Sequence, residues 1–390
     1  MVVVLLLLLL LGLAVAWIEL RHRLRPASPL TMRAIDWSVV PLGSEVRVTG
    51  VLEITNPHQR MEVFVPELSV SPVVLGKAAP TQLQVTTAIE ADHPDEDSRE
   101  DGYWAAYIVK GRKSTRAKVT ITLRDPSGAN PLDRFDTLWA DVHWINYGPF
   151  GRSARRQGVL VSLKRPQPLT SADAEFRIGE GCRVLPLRTH LLGSLDDPID
   201  VLRTYASDLL QPGDVLTIGE TPVAVIQSRY RHPSEVEPGM VARLACRVFH
   251  PTSSLATACG MQTLIDLVGP SRVIVAWFGG LLLKLVGVPG GFYRLAGDQA
   301  RLIDDITGTT PPYDQTIVLG PEEPEALCER AAMELGVAVA IVDVNDLGRV
   351  KVLASSRGCD EELLQRALRP NPAGNANERT PLVLVRPGVA

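Results

Sequence analysis

A chain of 390 residues, 45% hydrophobic and 22% charged, is ordinary globular material with enough length for two domains. Its net charge of −4 and its 5% of aromatic residues exclude a global basic field or a basic–aromatic stripe, so no nucleic-acid partner is expected. The five cysteines (Cys182, Cys246, Cys259, Cys328 and Cys359) are odd in number and contain no CxxC pair, which argues against a disulfide framework or a zinc knuckle and predicts free thiols.

The stretch from Val2 to Ile18 has no charge and is long enough to cross a hydrocarbon core, with Trp17 at its end as an interfacial aromatic. Arg21, Arg23 and Arg25 follow it. A secretory signal carries its positive charge before the apolar run and a small-residue cleavage site after it. The order here predicts a transmembrane helix over residues 1–20 and a basic linker over 21–31. The positive-inside rule then places the linker and everything downstream in the cytoplasm, on a single-pass anchor in an inner (cytoplasmic-type) membrane. An export signal is the competing reading.

From residue 32 to 165 the pattern has a period of two. Val46, Val48, Val51 and Ile54 alternate with polar residues, and Pro, Gly and Asn break the runs, which predicts an antiparallel β-sandwich. The acidic stretch Glu90 to Gly102 lacks the ligand spacing of a calcium loop and reads as a solvated loop. His143, alone among aromatics, reads as packed or hydrogen-bonded. The segment "VTGVLEITNPHQRMEVFVPELSV", with Asn56-Pro57 at the strand end, resembles the bacterial and plant domains related to late-embryogenesis-abundant proteins. That resemblance implies a binding or spacer module.

A proline-bearing boundary at Lys164 to Glu175 leads into a mixed texture. Asp197 before Pro198 marks a helix start, with Ile199, Leu202, Tyr205 and Leu209 at helical spacing. "EPEALCERAAMELGVAVAIVDV" reads as helix, glycine stop and buried strand. The alternation predicts an α+β (mixed α/β) domain over residues 175–390. Val273 to Gly291 is apolar but interrupted by Lys284 and a glycine pair. Core packing is the expectation there, with a re-entrant bilayer contact as the other reading.

Two stretches carry chemistry. "LIDDITGTTPPYD" ends an apolar segment in Asp304 and Asp305, and Gly308, Pro311 and Pro312 keep the next residues from becoming helix. The loop offers two carboxylates and the hydroxyls of Thr307, Thr309 and Thr310. "AIVDVNDLG" ends a buried strand in Asp343, Asn345 and Asp346, where α/β proteins place ligands. Hard oxygen ligands of this kind suit Mg2+ or Mn2+ clamping phosphate oxygens. The plain alternative is that both are turns, with Asp and Asn bonded to their own backbone.

These stretches and "NPAGNANERTPLVLVRP" resemble the γ-glutamyl ligase family of the deazaflavin coenzyme F-420, in a divergent branch with a membrane extension. The resemblance covers roughly residues 184–387. It puts Asp304 at a metal position and Thr307 near a nucleotide-binding position, with Asp343 or Asp346 as the second metal ligand. Asp304 and Asp305 would be the catalytic acids, Asp305 ligating metal or orienting a neighbour. Thr309, Asn345 and Asn375 would hydrogen-bond phosphate or substrate. Ala224 and Val225 stand where the family has a Ser-Lys pair on GTP, so Arg188, Arg229 or Lys284 would have to take the phosphate contact. Arg386 reads as a partner for a substrate carboxylate or as a solvated terminal cation.

The implied reaction joins a small-molecule carboxylate to glutamate in an amide bond, with GTP as co-substrate, a divalent metal and an acyl phosphate intermediate. The family also implies a homodimer. Two other readings are a metal- or nucleotide-binding relative without ligation, and a membrane-tethered scaffold whose sandwich recruits a partner.

Overall fold

The computed structural model describes residues 2–23, 29–77, 79, 82–306, 311–345, 347–374 and 378–388. It divides into two compact units, one of residues 1–72, 83–128 and 141–157, the other of residues 73–82, 129–140 and 158–390.

The chain begins with helix α1 (Val2–Arg23), about 33 Å long at the usual rise per residue. Residues Val3–His22 have a mean hydropathy of 2.8 and no buried surface, long and apolar enough to cross a membrane or to serve as a signal sequence. Strands β1 (Thr31–Leu42), β2 (Glu45–Thr55), β3 (Val63–Gly76), β4 (Gln84–Asp92), β5 (Tyr107–Val109) and β6 (Ser114–Arg124) follow, then β7 (Phe135–Gly148) and β8 (Gly151–Ser162). They form two four-stranded sheets, ordered β1-β2-β6-β4 and β5-β3-β7-β8.

The strand alternation fixes which side chains enter the core. Val46, Val48, Leu52 and Ile54 of β2 face inward with Ala117, Val119, Ile121 and Leu123 of β6. Gly50 keeps this phase, so Leu52 rather than Val51 is the inward residue. A Cβ on Gly50 would come within 2.2 Å of the Trp37 ring, so glycine leaves room for the indole. The Asn56-Pro57 stop is a lock: the Asn56 amide donates to the carbonyls of Met61 (2.7 Å) and Val109 (2.9 Å).

The acidic stretch is less loop-like than expected. Residues Glu90–Asp92 complete β4, and His93 is buried, stacked on Tyr107 at 4.1 Å and bonded to Thr115 at 2.7 Å. His143 contacts Asp141 at 3.2 Å, as a hydrogen-bonded histidine would.

The second unit is built on strands β9 (Arg177–Gly179), β10 (Cys182–Leu187), β11 (Val215–Gly219), β12 (Tyr230–Arg231), β13 (Asp304–Asp305), β14 (Ile317–Val318), β15 (Ala338–Val344), β16 (Val350–Ser355) and β17 (Leu382–Pro387). Its helices are α2 (Pro198–Ala206), α3 (Glu220–Ile226), α4 (Met240–Ala245), α5 (Ala258–Val268), α6 (Pro270–Leu285), α7 (Gly291–Ala296), α8 (Pro324–Leu335) and α9 (Glu361–Leu368). A mixed sheet runs β16-β15-β11-β17-β10-β9, with β11 and β15 parallel. Leu382 and Leu384 of β17 pack into a core with α2 and α8, whereas Val383 and Val385 pack with Leu364 and Leu368 of α9. Helices thus cover both faces of the sheet. A smaller lobe joins α4 to α7 around Met261, Leu264, Val273 and Phe292, beside the three-stranded sheet β12-β14-β13.

Local rules set several boundaries as read from the sequence. Asp197 caps α2, accepting from the backbone of Ile199 (2.9 Å) and Asp200 (3.0 Å), with Pro198 in the first turn. Gly336 ends α8 in the left-handed conformation. The five cysteines are free, Cys182, Cys246 and Cys328 buried and the other two half-buried.

The stretch from Val273 to Gly291 departs from expectation. Most of it is helix α6, and only Val273 and Ala276 of α6 are buried. It is not core.

Candidate functional site

Parallel strands β11 and β15 end side by side, Gly219 opposite Val342. Each run of apolar residues gives way to an acid at its carboxyl end: Glu220, which opens α3, and Asp343. A cavity of about 680 Å³ opens there, walled by Thr189, His190, Glu220, Asp343, Asn345 and Arg379 among others. This is the place where α/β sheets bind ligands.

Asp304, on β13, is outside that wall but is coupled electrostatically to it. Crowding by surrounding protein raises the Asp304 pKa, Asp343 raises it further, and Lys351 opposes both. Glu220 is pushed up to about 7, first by burial, with Asp343 and Asp304 adding to the rise against Lys351. Asp343 and Lys351 are cross-strand partners in the β15–β16 pair. The charge on Asp343 therefore disfavours ionisation of both Glu220 and Asp304, and Lys351 partly offsets it.

Glu220 is the residue that sequence reasoning missed. Its signal was available: "VLTIGE" is an apolar strand ending in an acid, the same feature that selects Asp343. Lys351 carried no local signal, since only strand pairing sets it against Asp343.

The two adjacent aspartates meet different partners. Successive strand residues face opposite ways. Asp304 couples to Asp343 and Glu220, whereas Asp305 accepts a hydrogen bond from Thr257, the N-cap of α5. Asp305 is thus tied to a helix start rather than to the acid cluster. Ile306, next in line, has a φ of 46°, an unfavourable left-handed conformation for a β-branched residue.

Asn345 lies on the cavity wall, but its side-chain oxygen accepts from the backbone of Leu347 (3.1 Å) and Arg349 (3.0 Å). These are turn contacts of an Asn side chain with its own backbone. Arg188 is exposed and lines an adjoining cavity of about 190 Å³ that shares Thr189, His190 and Arg379 with the larger one. Arg229 is engaged structurally, donating to the Gly320 carbonyl at 3.0 Å and pairing with Glu322. Lys284 lies in the last turn of α6. Ala224 and Val225 are buried in α3.

Arg386 matches neither expectation. It clamps the buried Asp214 through two bonds of 2.8 and 2.7 Å and lies over Phe176. Thr307, Thr309, Asp346 and Asn375 lie outside the described residues.

At the cavity edge, buried His190 bonds Tyr205 at 2.7 Å through one ring nitrogen and Asp196 at 2.8 Å through the other. These bonds hold the imidazole in one orientation. Among the described residues no group of three or more His, Cys, Asp or Glu side chains is gathered closely enough to hold a metal ion.

Residues 31–165 match the family model described as the N-terminal Ig-like domain of F420-0:gamma-glutamyl ligase. The match supports relationship to that ligase, and it assigns this stretch to an Ig-like domain rather than to a late-embryogenesis-abundant one. It ends before the acid cluster. No curated protein matches the chain. Among solved structures, a FixG-related protein from Vibrio parahaemolyticus is 13% identical, covering 35% of this chain and 99% of its own, with a TM-score of 0.20. The yeast GGA1 GAE domain is 10% identical, covering 36% and 96%, with a TM-score of 0.20. A PapD-like domain of human CEP192 is 13% identical, covering 35% and 87%, with a TM-score of 0.19.

Proposed function

We propose that this chain is a membrane-anchored γ-glutamyl-ligase-like enzyme that forms an amide bond between a small-molecule carboxylate and glutamate, using GTP and a divalent metal. The observation that carries this reading is the pair of acids Glu220 and Asp343 on the wall of a large cavity at the carboxyl ends of β11 and β15, with Asp304 coupled to both by charge. The Ig-like match over residues 31–165 supports the same family. The apolar α1 supplies the anchor.

In this reading Asp304 and Asp343 hold Mg2+ or Mn2+, with Glu220 as a third acid and Asp346 from the neighbouring loop. A bound divalent ion would shield phosphate charge so that a carboxylate can approach the γ-phosphate. Lys351 limits the negative charge of the acid face. The His190–Asp196–Tyr205 network keeps one wall rigid while the carboxylate and amine of the two substrates are aligned. Asp305 is held by Thr257.

The replacement of the family's Ser-Lys pair favours a second reading. Ala224 and Val225 are buried and offer a phosphate no side-chain donor. A relative that binds metal and nucleotide without ligation accommodates that change.

Calorimetry on the full chain in detergent, with GTP or ATP and with Mn2+, Mg2+ or chelator, tests both. Metal-dependent GTP binding that weakens at least about tenfold in Asp304→Ala and in Asp343→Ala is expected, the loss typical of a disturbed metal site. Formation of the glutamyl amide, followed by mass spectrometry, then separates ligation from binding alone. Absence of nucleotide binding with either metal would refute both and favour the scaffold reading.

A further inference from the structure

Helix α6 leaves most of its apolar surface uncovered. Ile274, Val275, Phe278, Leu281, Leu282 and Leu285 are exposed by 41, 65, 59, 40, 65 and 83%. Their spacing places them on one helical face. The opposite face buries Val273 and Ala276 and brings Gly280 against the backbone of Phe292 in α7. Helix α4, which packs beside α6, has a stripe of its own in exposed Met240 and Leu244. An apolar face of this extent marks an interaction site rather than ordinary surface.

The face is too short to be a span. Sixteen residues of helix reach about 24 Å, less than the hydrocarbon core. Helix α5, bent from α6 by 114°, is held in the protein core through Met261, Leu264 and Ile265. Such a helix can lie in a membrane interface but cannot cross one.

Charge selects the occupant. Residues 240–296 contain Arg243, Arg247, Arg272, Lys284 and Arg294, all exposed, against a single acid, Asp266, in a chain of net charge −4. Asp266 is itself paired with Arg231 at 2.7 Å. A second copy meeting this face by two-fold symmetry would set cations against cations. An anionic lipid surface would instead match the apolar stripe and its cationic surroundings together.

We propose that α6 docks by its apolar face into the headgroup–acyl boundary of an anionic lipid bilayer, with the neighbouring cations on lipid phosphates. The inference does not depend on the ligase reading, and its test does not read activity.

The test uses the full chain with its native cysteines replaced by alanine and a single Leu282→Cys carrying an environment-sensitive fluorophore. The same label at Met333→Cys on α8, 76% exposed, is the control. Vesicles of phosphatidylcholine, with or without phosphatidylglycerol, carry nitroxide on their acyl chains. Quenching at position 282 but not at 333, on the anionic vesicles, is expected. The docked-to-free ratio should fall about fivefold for each of Lys284→Gln and Arg247→Gln. In the unmodified chain, slowed amide exchange across residues 270–285 on the same anionic vesicles gives support independent of the cysteine replacements. Water-like emission at 282 on every vesicle, with unchanged exchange, would overturn the proposal. So would burial of the label that grows with protein concentration without lipid, which identifies a second copy, or burial only on adding polyglutamate, which identifies an acidic protein.

Discussion

Glu220 has a folded-state pKa of about 7 against an ordinary 4.5, because burial and two neighbouring acids oppose its ionisation. The folded chain therefore holds this proton more tightly than the unfolded chain. The group's contribution to stability is complete below the ordinary value and is lost as pH rises through 7. Without divalent metal, Glu220→Gln should raise stability near pH 8 by about 1–3 kcal/mol and change it little near pH 5, as thermal unfolding across that range would show. Asp214 anchors a different interaction. Its carboxylate is buried and clamped by Arg386. Asp214→Ala strands the guanidinium and should cost about 3–5 kcal/mol in denaturant unfolding. Arg386 thus serves the fold, although its place near the end of the chain suggested a free cation.

At the scale of elements, packing of α6 on α7 turns on one glycine. A Cβ at Gly280 would sit 2.7 Å from the Phe292 backbone nitrogen, which has nowhere to move. At neighbouring Gly279 the obstacle is the tip of the Leu295 side chain, at 2.6 Å, which can rotate away. Gly280→Ala should therefore cost about 1–3 kcal/mol, whereas Gly279→Ala should be near neutral, helped by its better helix propensity. Local amide exchange in α6 and α7 distinguishes the two. The cap of α2 gives a second check: Asp197→Ala should cost about 0.5–2 kcal/mol, since two backbone donors lose their acceptor.

For the whole molecule, the first question is what α1 does. An anchor should keep the chain in the membrane pellet after alkaline carbonate extraction, and deletion of residues 2–23 should release it. A signal sequence would instead give a mature chain whose mass lacks the N-terminal residues. The two units place different demands on sequence reading. The sandwich was legible because alternation is a short-range pattern, although its phase required knowing that Gly50 keeps an inward position under Trp37. The α+β unit was legible as helices and strands from caps, glycine stops and apolar runs. Its α6 was misread because an apolar segment reads alike whether its face meets a core or is left exposed.

The sequence by itself determined the elements whose causes lie within a few residues: the apolar helix, the alternating strands, the Asp197-Pro198 start and the acids ending apolar runs. It also selected Asp304 and Asp343 as candidates. Only the tertiary structure decided what meets what. It brought Glu220 and Lys351 beside Asp343 through strand pairing, set Asp305 against Thr257 and committed Arg386 to Asp214. The physical reason is range. Backbone propensity and capping act between near neighbours in the chain, whereas the field at a carboxyl group sums over every charge and dipole that folding brings close.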